Sequence, residues 1–285
     1  MPHFRRVAFV GIVLVAALAG AGAFTGPGEF SYIPIDYPGA TATYAYSINE
    51  QGTVVGTYLD SSTGDYRAFW RSRNGVYSTV DYSQVPMGVA ADINARGDIV
   101  GVCDADQNGC LLREGVLSRI SYPDANRTGA SGINARGDVV GGYYDAGWWI
   151  YGFLLRDGVF TRIEAPGGIA TSAQRINARG DIVGAANYDY VPSGYLLHDG
   201  IFTPIRFPDA WGTEALDIND RGDIVGDYTP APLWPTTHAF LLRSGRFIEL
   251  VLPGSATTAR GINNRGEIVG YYNDGQQHGF LATLR

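Results

Sequence analysis

Three residues in this chain have the makings of an acid–base centre: Asp92, Arg175 and Asp217. Each stands directly before the Ile of a recurring Ile-Asn-x-x-Gly motif, a position held in the other copies by Ser47, Gly132 and Gly261. If the copies circle a common axis, two carboxylates and a guanidinium meet at the mouth of the central channel, where ring-shaped enzymes place acid, base and metal groups. The same residues would equally serve as ion pairs where neighbouring copies join. No Ser or Cys nucleophile sits in a recognisable frame, and the histidines His198, His238 and His278 lack metal-ligand spacing.

Two further groups could do chemistry. Asp104, Asp106 and Asn108 place oxygen-bearing side chains at alternate positions before Gly109, the opening of a calcium loop. Leu112 stands where a further carboxylate would complete the ligand set, so a polar hairpin turn is the favoured reading over Ca2+, and no other cofactor is expected. Cys103 and Cys110 flank this segment and could close a small disulfide in an exported protein. Cys110 also fills the slot held elsewhere by Phe69, Phe153, Tyr195, Phe240 and Phe280, where a thiol would act as a small hydrophobe, and both readings stay open.

The elements that position these groups follow from the repeat. Six motifs place Asn at 49, 94, 134, 177, 219 and 263, in steps of 45, 40, 43, 42 and 44 residues. A period in the low forties built from short strands predicts propeller blades. Within each copy, strand a carries Ala at 45, 90, 130, 173, 215 or 259, and strand b carries Gly at 56, 101, 141, 184, 226 or 270, where a backbone or ring approaches closely. Strand c is small-aromatic-Leu-Leu, as in Gly152-Phe153-Leu154-Leu155, and turns such as Arg156-Asp157-Gly158 lead into an alternating strand d. The Asn-x-x-Gly turn uses the Asn side chain to bond nearby backbone and the Gly to accept positive φ.

The last copy lacks strand d, and a lone d-like strand, residues 30–35, precedes the first motif. The expected fold is therefore all-β: a six-bladed propeller of four antiparallel strands per blade, its final blade completed by the N-terminal strand. In such a ring the a-to-b and c-to-d turns share one face, and the b-to-c and d-to-a loops share the other. The second face varies between copies and is the candidate binding face. Trp148, Trp149, Tyr190, Trp234, His238 and His278 are its candidate ligand contacts, since Trp and Tyr stack on sugar rings or anchor protein interfaces. The first Tyr after each strand-b Gly is expected to pack between blades.

Gly261-Ile262-Asn263-Asn264-Arg265-Gly266-Glu267-Ile268-Val269-Gly270 with His278-Gly279-Phe280-Leu281, and likewise His238-Ala239-Phe240-Leu241, resemble the bacterial extracellular HAF repeats. The resemblance spans nearly all of residues 24–285 and implies an exported repeat protein, with no catalytic residues to carry over.

Address and partners follow from composition. Arg5 and Arg6, an apolar run over residues 7–19 and Ala21-Gly22-Ala23 have the layout of a secretory signal over residues 1–23, leaving one domain over 24–285. The protein is thus expected to be secreted or periplasmic and monomeric, with no membrane span after cleavage. A net charge of -7 argues against nucleic acid. The favoured function is a binding or interaction module for a glycan or an extracellular or envelope protein. The alternative is an enzyme, a lactonase, lyase or glycan-active hydrolase, resting on Asp92, Arg175 and Asp217.

Overall fold

The computed structural model describes residues 30–80, 88–103, 108–231, 236–252 and 256–285. A lone strand, β1 (Phe30–Ile35), precedes the repeats. The first repeat comprises β2 (Ala40–Ile48), β3 (Val54–Asp60), β4 (Tyr66–Arg71) and β5 (Tyr77–Thr79), and the second β6 (Val89–Ile93), β7 (Ile99–Val102), β8 (Gly109–Arg113) and β9 (Val116–Ile120). The third comprises β10 (Arg127–Ile133), β11 (Val139–Tyr144), β12 (Ile150–Arg156) and β13 (Val159–Ile163), and the fourth β14 (Ala170–Ile176), β15 (Ile182–Tyr188), β16 (Val191–His198) and β17 (Ile201–Ile205). The fifth comprises β18 (Ala210–Ile218), β19 (Ile224–Pro230), β20 (His238–Arg243) and β21 (Arg246–Leu250), and the sixth β22 (Ala256–Ile262), β23 (Glu267–Asn273) and β24 (Gln277–Leu284). No helix occurs among the described residues.

Repeats two to five each form a separate four-stranded antiparallel sheet. The rest make one eight-stranded mixed sheet. In it β1 pairs antiparallel with β24, from Phe30 opposite Leu284 to Ile35 opposite Gly279, which is the terminal pairing read from the sequence. A single parallel bridge, Ala42 opposite Gln277, joins this half to β2–β5. The expectation of six separate blades is corrected accordingly to four free-standing blades and one mixed sheet. The merger rests on that one bridge, made by the outer end of β2 with the start of β24.

The hydrophobic cores lie between consecutive repeats. Val55 and Ala68 of repeat one pack with Ala90 and Ile93 of repeat two, and Val140 of repeat three packs with Ala173 and Ile176 of repeat four. Val269 of the last repeat packs with Ala45 and Ile48 of the first, so the packing closes on itself. Phe69, Phe153, Phe240 and Phe280 are fully buried in these layers. Cys110 takes the same slot in repeat two, also fully buried, with its Sγ 3.7 Å from Gly101 O, while Cys103 Sγ faces Asn108 O.

One local device recurs in every repeat. The innermost strand carries a β-bulge between Ala45 and Ser47, and between the equivalent residues of the other five copies. A bulge adds one residue to one strand and re-aims the backbone around it. The strand-b glycine is its counterpart: a Cβ on Gly56 would lie 1.9 Å from Tyr44 O and 3.0 Å from the Phe69 ring. Both the backbone and the ring approach expected from the sequence are therefore present.

Candidate functional site

The bulges determine what occupies the axis. The bulged residues, Tyr46, Ala91, Ser131, Gln174, Leu216 and Arg260, stand at the inner edge of the repeats, and four of their carbonyls receive the Arg175 guanidinium. Nη1 donates to Ser131 O at 2.5 Å and Gln174 O at 3.0 Å, and Nη2 to Ala91 O at 2.7 Å and Tyr46 O at 3.2 Å. One side chain thus ties repeats one to four. Gly132 makes this path open, since a Cβ there would lie 2.9 Å from Arg175 Cα.

The structure brings the three candidate acid–base residues together. Arg175 Nε lies 3.5 Å from Asp92 Oδ1 and 4.0 Å from Asp217 Oδ1, and all three side chains are buried. The carboxylates also bind backbone: Asp92 accepts from Ile93 N and Ile133 N and from the Ser47 hydroxyl, and Asp217 accepts from Ile218 N and Ile262 N. Burial, opposed by Arg175 and reinforced by Asp92, holds the Asp217 carboxyl above the ordinary carboxylate range. A funnel of about 120 Å³ on the turn face reaches Ser47, Asp92 and Asp217.

Around that funnel the six motif asparagines form a closed ring. Each side-chain Nδ2 donates to the backbone carbonyl of the next Asn, from Asn49 through Asn94, Asn134, Asn177 and Asn219 to Asn263 and back to Asn49, at 3.1–3.2 Å. Each Oδ1 accepts the amides two and four residues on, as Asn94 does from Arg96 and Asp98. The turn glycines have φ of 77° to 95°, as the turn requires. Outside the ring, Asp98 holds Arg96 and Arg113, Asp138 holds Arg136 and Arg156, and Glu267 holds Arg265 and Arg73. Burial raises these carboxyls, but the Asn amides and guanidiniums outweigh it and hold Asp98, Asp138 and Glu267 below their ordinary range. These pairs form a rim of paired charges on the turn face. A cavity of about 500 Å³ between Arg96, Arg113 and Arg136 lies on the rim.

On the variable face, Trp148, Trp149 and Tyr190 are exposed at 66%, 57% and 83%. They sit on the hairpin tips of repeats three and four. Trp148 has φ of 62° and Tyr190 of 66°, so two bulky residues occupy left-handed backbone. His238 and His278 are placed differently from that rim: each stacks on a strand-b tyrosine, Tyr228 or Tyr272, and pairs with a carboxylate, Glu249 or Asp36. Trp234, Asp104 and Asp106 lie outside the described residues, and the Asn108 backbone carbonyl accepts from Cys103 N. Tyr58, Tyr143 and Tyr228 are buried as expected. Tyr188 is half-buried against the core of repeats three and four, and Tyr271 is not in the core; Tyr272, one residue on, takes its core position, because successive strand residues face opposite sides.

Tyr271 leads to a cluster the sequence reading missed. Its ring meets Tyr44 edge-on at 5.1 Å and Tyr46 at 6.2 Å, and Tyr44 lies 6.3 Å from the exposed Tyr66. The Arg260 guanidinium sits over the Tyr46 ring at 5.3 Å. Beside it, Glu214 and Asp227 stand directly opposite each other across β18 and β19, and the Thr258 hydroxyl donates to Asp227 Oδ2 at 3.2 Å. Burial and then Glu214 push the Asp227 carboxyl up to about 7, against Arg260 and Thr258. The signal was present in the repeat alignment, in the columns at the bulge and two residues before it, which the motif search passed over because they do not repeat.

No protein-family model matches the chain, and no curated relative does. Solved structures do. A gluconolactonase from Xanthomonas campestris matches at TM-score 0.53 and 11% identity, over 90% of this chain and 91% of its own. Virginiamycin B lyase from Staphylococcus aureus matches at 0.54 and 11%, over 90% and 100%. A lectin from Aleuria aurantia, solved with Fucα1-6GlcNAc, matches at 0.51 and 13%, over 84% and 91%. The fold is a β-propeller. At these identities the likeness is one of fold, and both binding and catalytic proteins share it. The propeller's working surface has to be argued from its own residues.

Proposed function

We propose that this protein is an exported propeller that binds a glycan through its variable-loop face. The observation that carries the reading is the set of exposed aromatic tips, Trp148, Trp149 and Tyr190, two of them on left-handed backbone. Such backbone costs a bulky residue about 1–2 kcal/mol, and strain kept at an exposed tip is a mark of a contact surface. Flat rings beside acids, such as Asp145 and Asp189, suit the apolar faces and hydroxyls of sugars. The ring-closing packing and the circuit of six asparagines support counting the mixed sheet as two blades of a six-bladed ring. The secretory-signal layout of residues 1–23 and the resemblance to the HAF repeats support the reading.

The catalytic alternative has less behind it. Both Nη atoms of Arg175 are bound to carbonyls, Asp92 and Asp217 are bound to amides, and the adjoining funnel of about 120 Å³ is small beside the roughly 300–1,000 Å³ of small-molecule sites. A glycan array probed with residues 24–285 tests the proposal. Binding to a defined sugar set, lost by about ten-fold or more in the triple variant Trp148→Ala, Trp149→Ala, Tyr190→Ala, is expected. An array with no binding anywhere would reject glycans and leave an envelope protein as the partner to seek.

A further inference from the structure

The repeats act as internal controls for one another. The strand pairing places the same two residues opposite each other in every copy, just outside the bulge. They are Tyr44 with Thr57, Val89 with Val102, Gly129 with Gly142, Ser172 with Ala185, Glu214 with Asp227, and Thr258 with Tyr271. Five pairs are uncharged. The fifth repeat alone sets two carboxylates against each other, an arrangement that like-charge repulsion makes unfavourable across a ladder. The next repeat places Arg260 beside them, at the position its counterparts fill with Tyr46, Ala91, Ser131, Gln174 and Leu216. Folding needs none of this, since five copies of the same backbone do without it.

The departures are also grouped. Glu214 and Asp227, then Arg260 and Tyr271, then Tyr44, Tyr46 and Tyr66 come from three consecutive repeats, five, six and one, and form one continuous cluster. The corresponding positions of repeats two and three are Val89, Ala91, Gly129, Ser131 and Gly142, all small or aliphatic. The inner edge of the ring towards the variable loops is therefore asymmetric, with polar and aromatic residues in repeats five, six and one and small residues in repeats two and three.

We infer that this axial edge is a sugar-binding site in its own right, in which Glu214, Asp227 and Arg260 bond the hydroxyls of an uncharged sugar held along the run of tyrosines from Tyr46 to the exposed Tyr66. The inference rests on the glycan reading above. A carboxylate accepts two hydroxyls and a guanidinium donates to a ring or hydroxyl oxygen, while tyrosine offers both a face and a hydroxyl. An organic cation is the other chemistry that tyrosines and acids suggest, but here the chain fills that role itself. Arg260 already covers Tyr46, and ring centroids 5.1 to 6.3 Å apart pack against one another with no cage between them.

The test is a titration of protein carrying labelled tyrosine with free glucose, galactose, mannose, fucose and N-acetylglucosamine, read by NMR of the tyrosine rings. Saturable shifts at Tyr44, Tyr46, Tyr66 and Tyr271 are expected with at least one sugar, weakened by roughly ten-fold in Tyr66→Ala and in Glu214→Gln and little changed in the triple variant of the hairpin tips. Tyr66 is 54% exposed, so its variant keeps the fold. Affinity should also rise as pH climbs through 7, where Asp227 becomes an acceptor-only carboxylate facing Glu214, Arg260 and Thr258, and this rise should vanish in Asp227→Asn. No shift with any of the sugars, or shifts indifferent to both variants, would overturn the axial site. If array binding fails only in the tip variant while these rings stay silent, the axial site falls and the glycan reading stands; silence in both experiments removes both. Tighter shifts with choline than with any sugar would overturn the sugar assignment.

Discussion

The two faces of the propeller are built on the same six repeats and put to opposite use. On the turn face the repeats do the same thing: in all six an Asn closes its own turn and reaches the next Asn, and in five of them an acid behind it gathers basic side chains, Thr53 standing in that place in the first. On the loop face the repeats diverge, and what is informative there occurs once: a carboxylate pair in one copy, Arg260 in the next, strained aromatic tips in two others. Repetition around a ring produces closure, because each group finds an identical partner at a fixed rotation. Specific recognition requires breaking that symmetry, so singular residues mark it. Arg175 belongs to neither class, being a singular residue that acts as an axle for four repeats.

The comparison can be broken most decisively at that axle. Arg175→Ala leaves two buried carboxylates and four carbonyls without their cation and is expected to cost about 3–5 kcal/mol in chemical denaturation, the range for breaking a buried ion pair. A loss below about 1 kcal/mol would show that the axis carries little of the fold. Asn134→Ala on the turn face should cost about 1–3 kcal/mol, because the part-buried amide of Arg136 and the buried amide of Asp138 lose their acceptor. On the loop face Tyr190→Gly should instead be neutral or raise stability by up to about 1 kcal/mol by relieving the positive φ, measured by thermal unfolding. A large loss there would mean that the tip serves folding.

Acid titration sharpens the same contrast. Asp98, Asp138, Asp181 and Glu267 have lowered pKa values in the folded state, each against the penalty of burial, through Asn amides and basic partners. The unfolded chain therefore takes up protons first as pH falls. Their stabilisation is complete above about pH 4–4.5 and is lost as pH drops below it. The raised carboxyls, Asp217 and Asp227, act with opposite sign: they favour the fold at low pH and withdraw that support as pH rises towards neutral. Denaturation from pH 3 to pH 8 should show a steep acid limb, and Asn substitution at Asp98 should flatten it. An unchanged limb would mean that the turn-face acids are not what acid attacks.

Much of the frame was legible in the repeat. Six identical alanines and glycines, the Asn turn and the orphan first strand could be read because each records a local requirement: a tight packing layer, a close carbonyl, a positive φ, an unpaired edge. The gathering of Asp92, Arg175 and Asp217 was legible too, since equivalent positions in a ring must face one axis. Their bonding was not, because the bulge that turns four carbonyls inward is invisible in residue type. His238 and His278 looked like free loop residues, yet each has a tyrosine face beneath it and a carboxylate beside it. The cluster around Tyr271 escaped because a search for what recurs discards the columns where one copy differs.

Sequence alone determined the unit, its strands, its turns and the pairing of the first strand with the last, for these depend on side-chain period and backbone freedom within a few residues. The tertiary structure decided which singular residues meet, and that the first and last repeats share a sheet. Tyr44 and Tyr271 touch, and Asn263 bonds Asn49 across 214 positions, only because the small rotation between neighbouring repeats sums to a closed turn. That rotation is a property of how the sheets pack, shared among all the interfaces, and no single repeat encodes it.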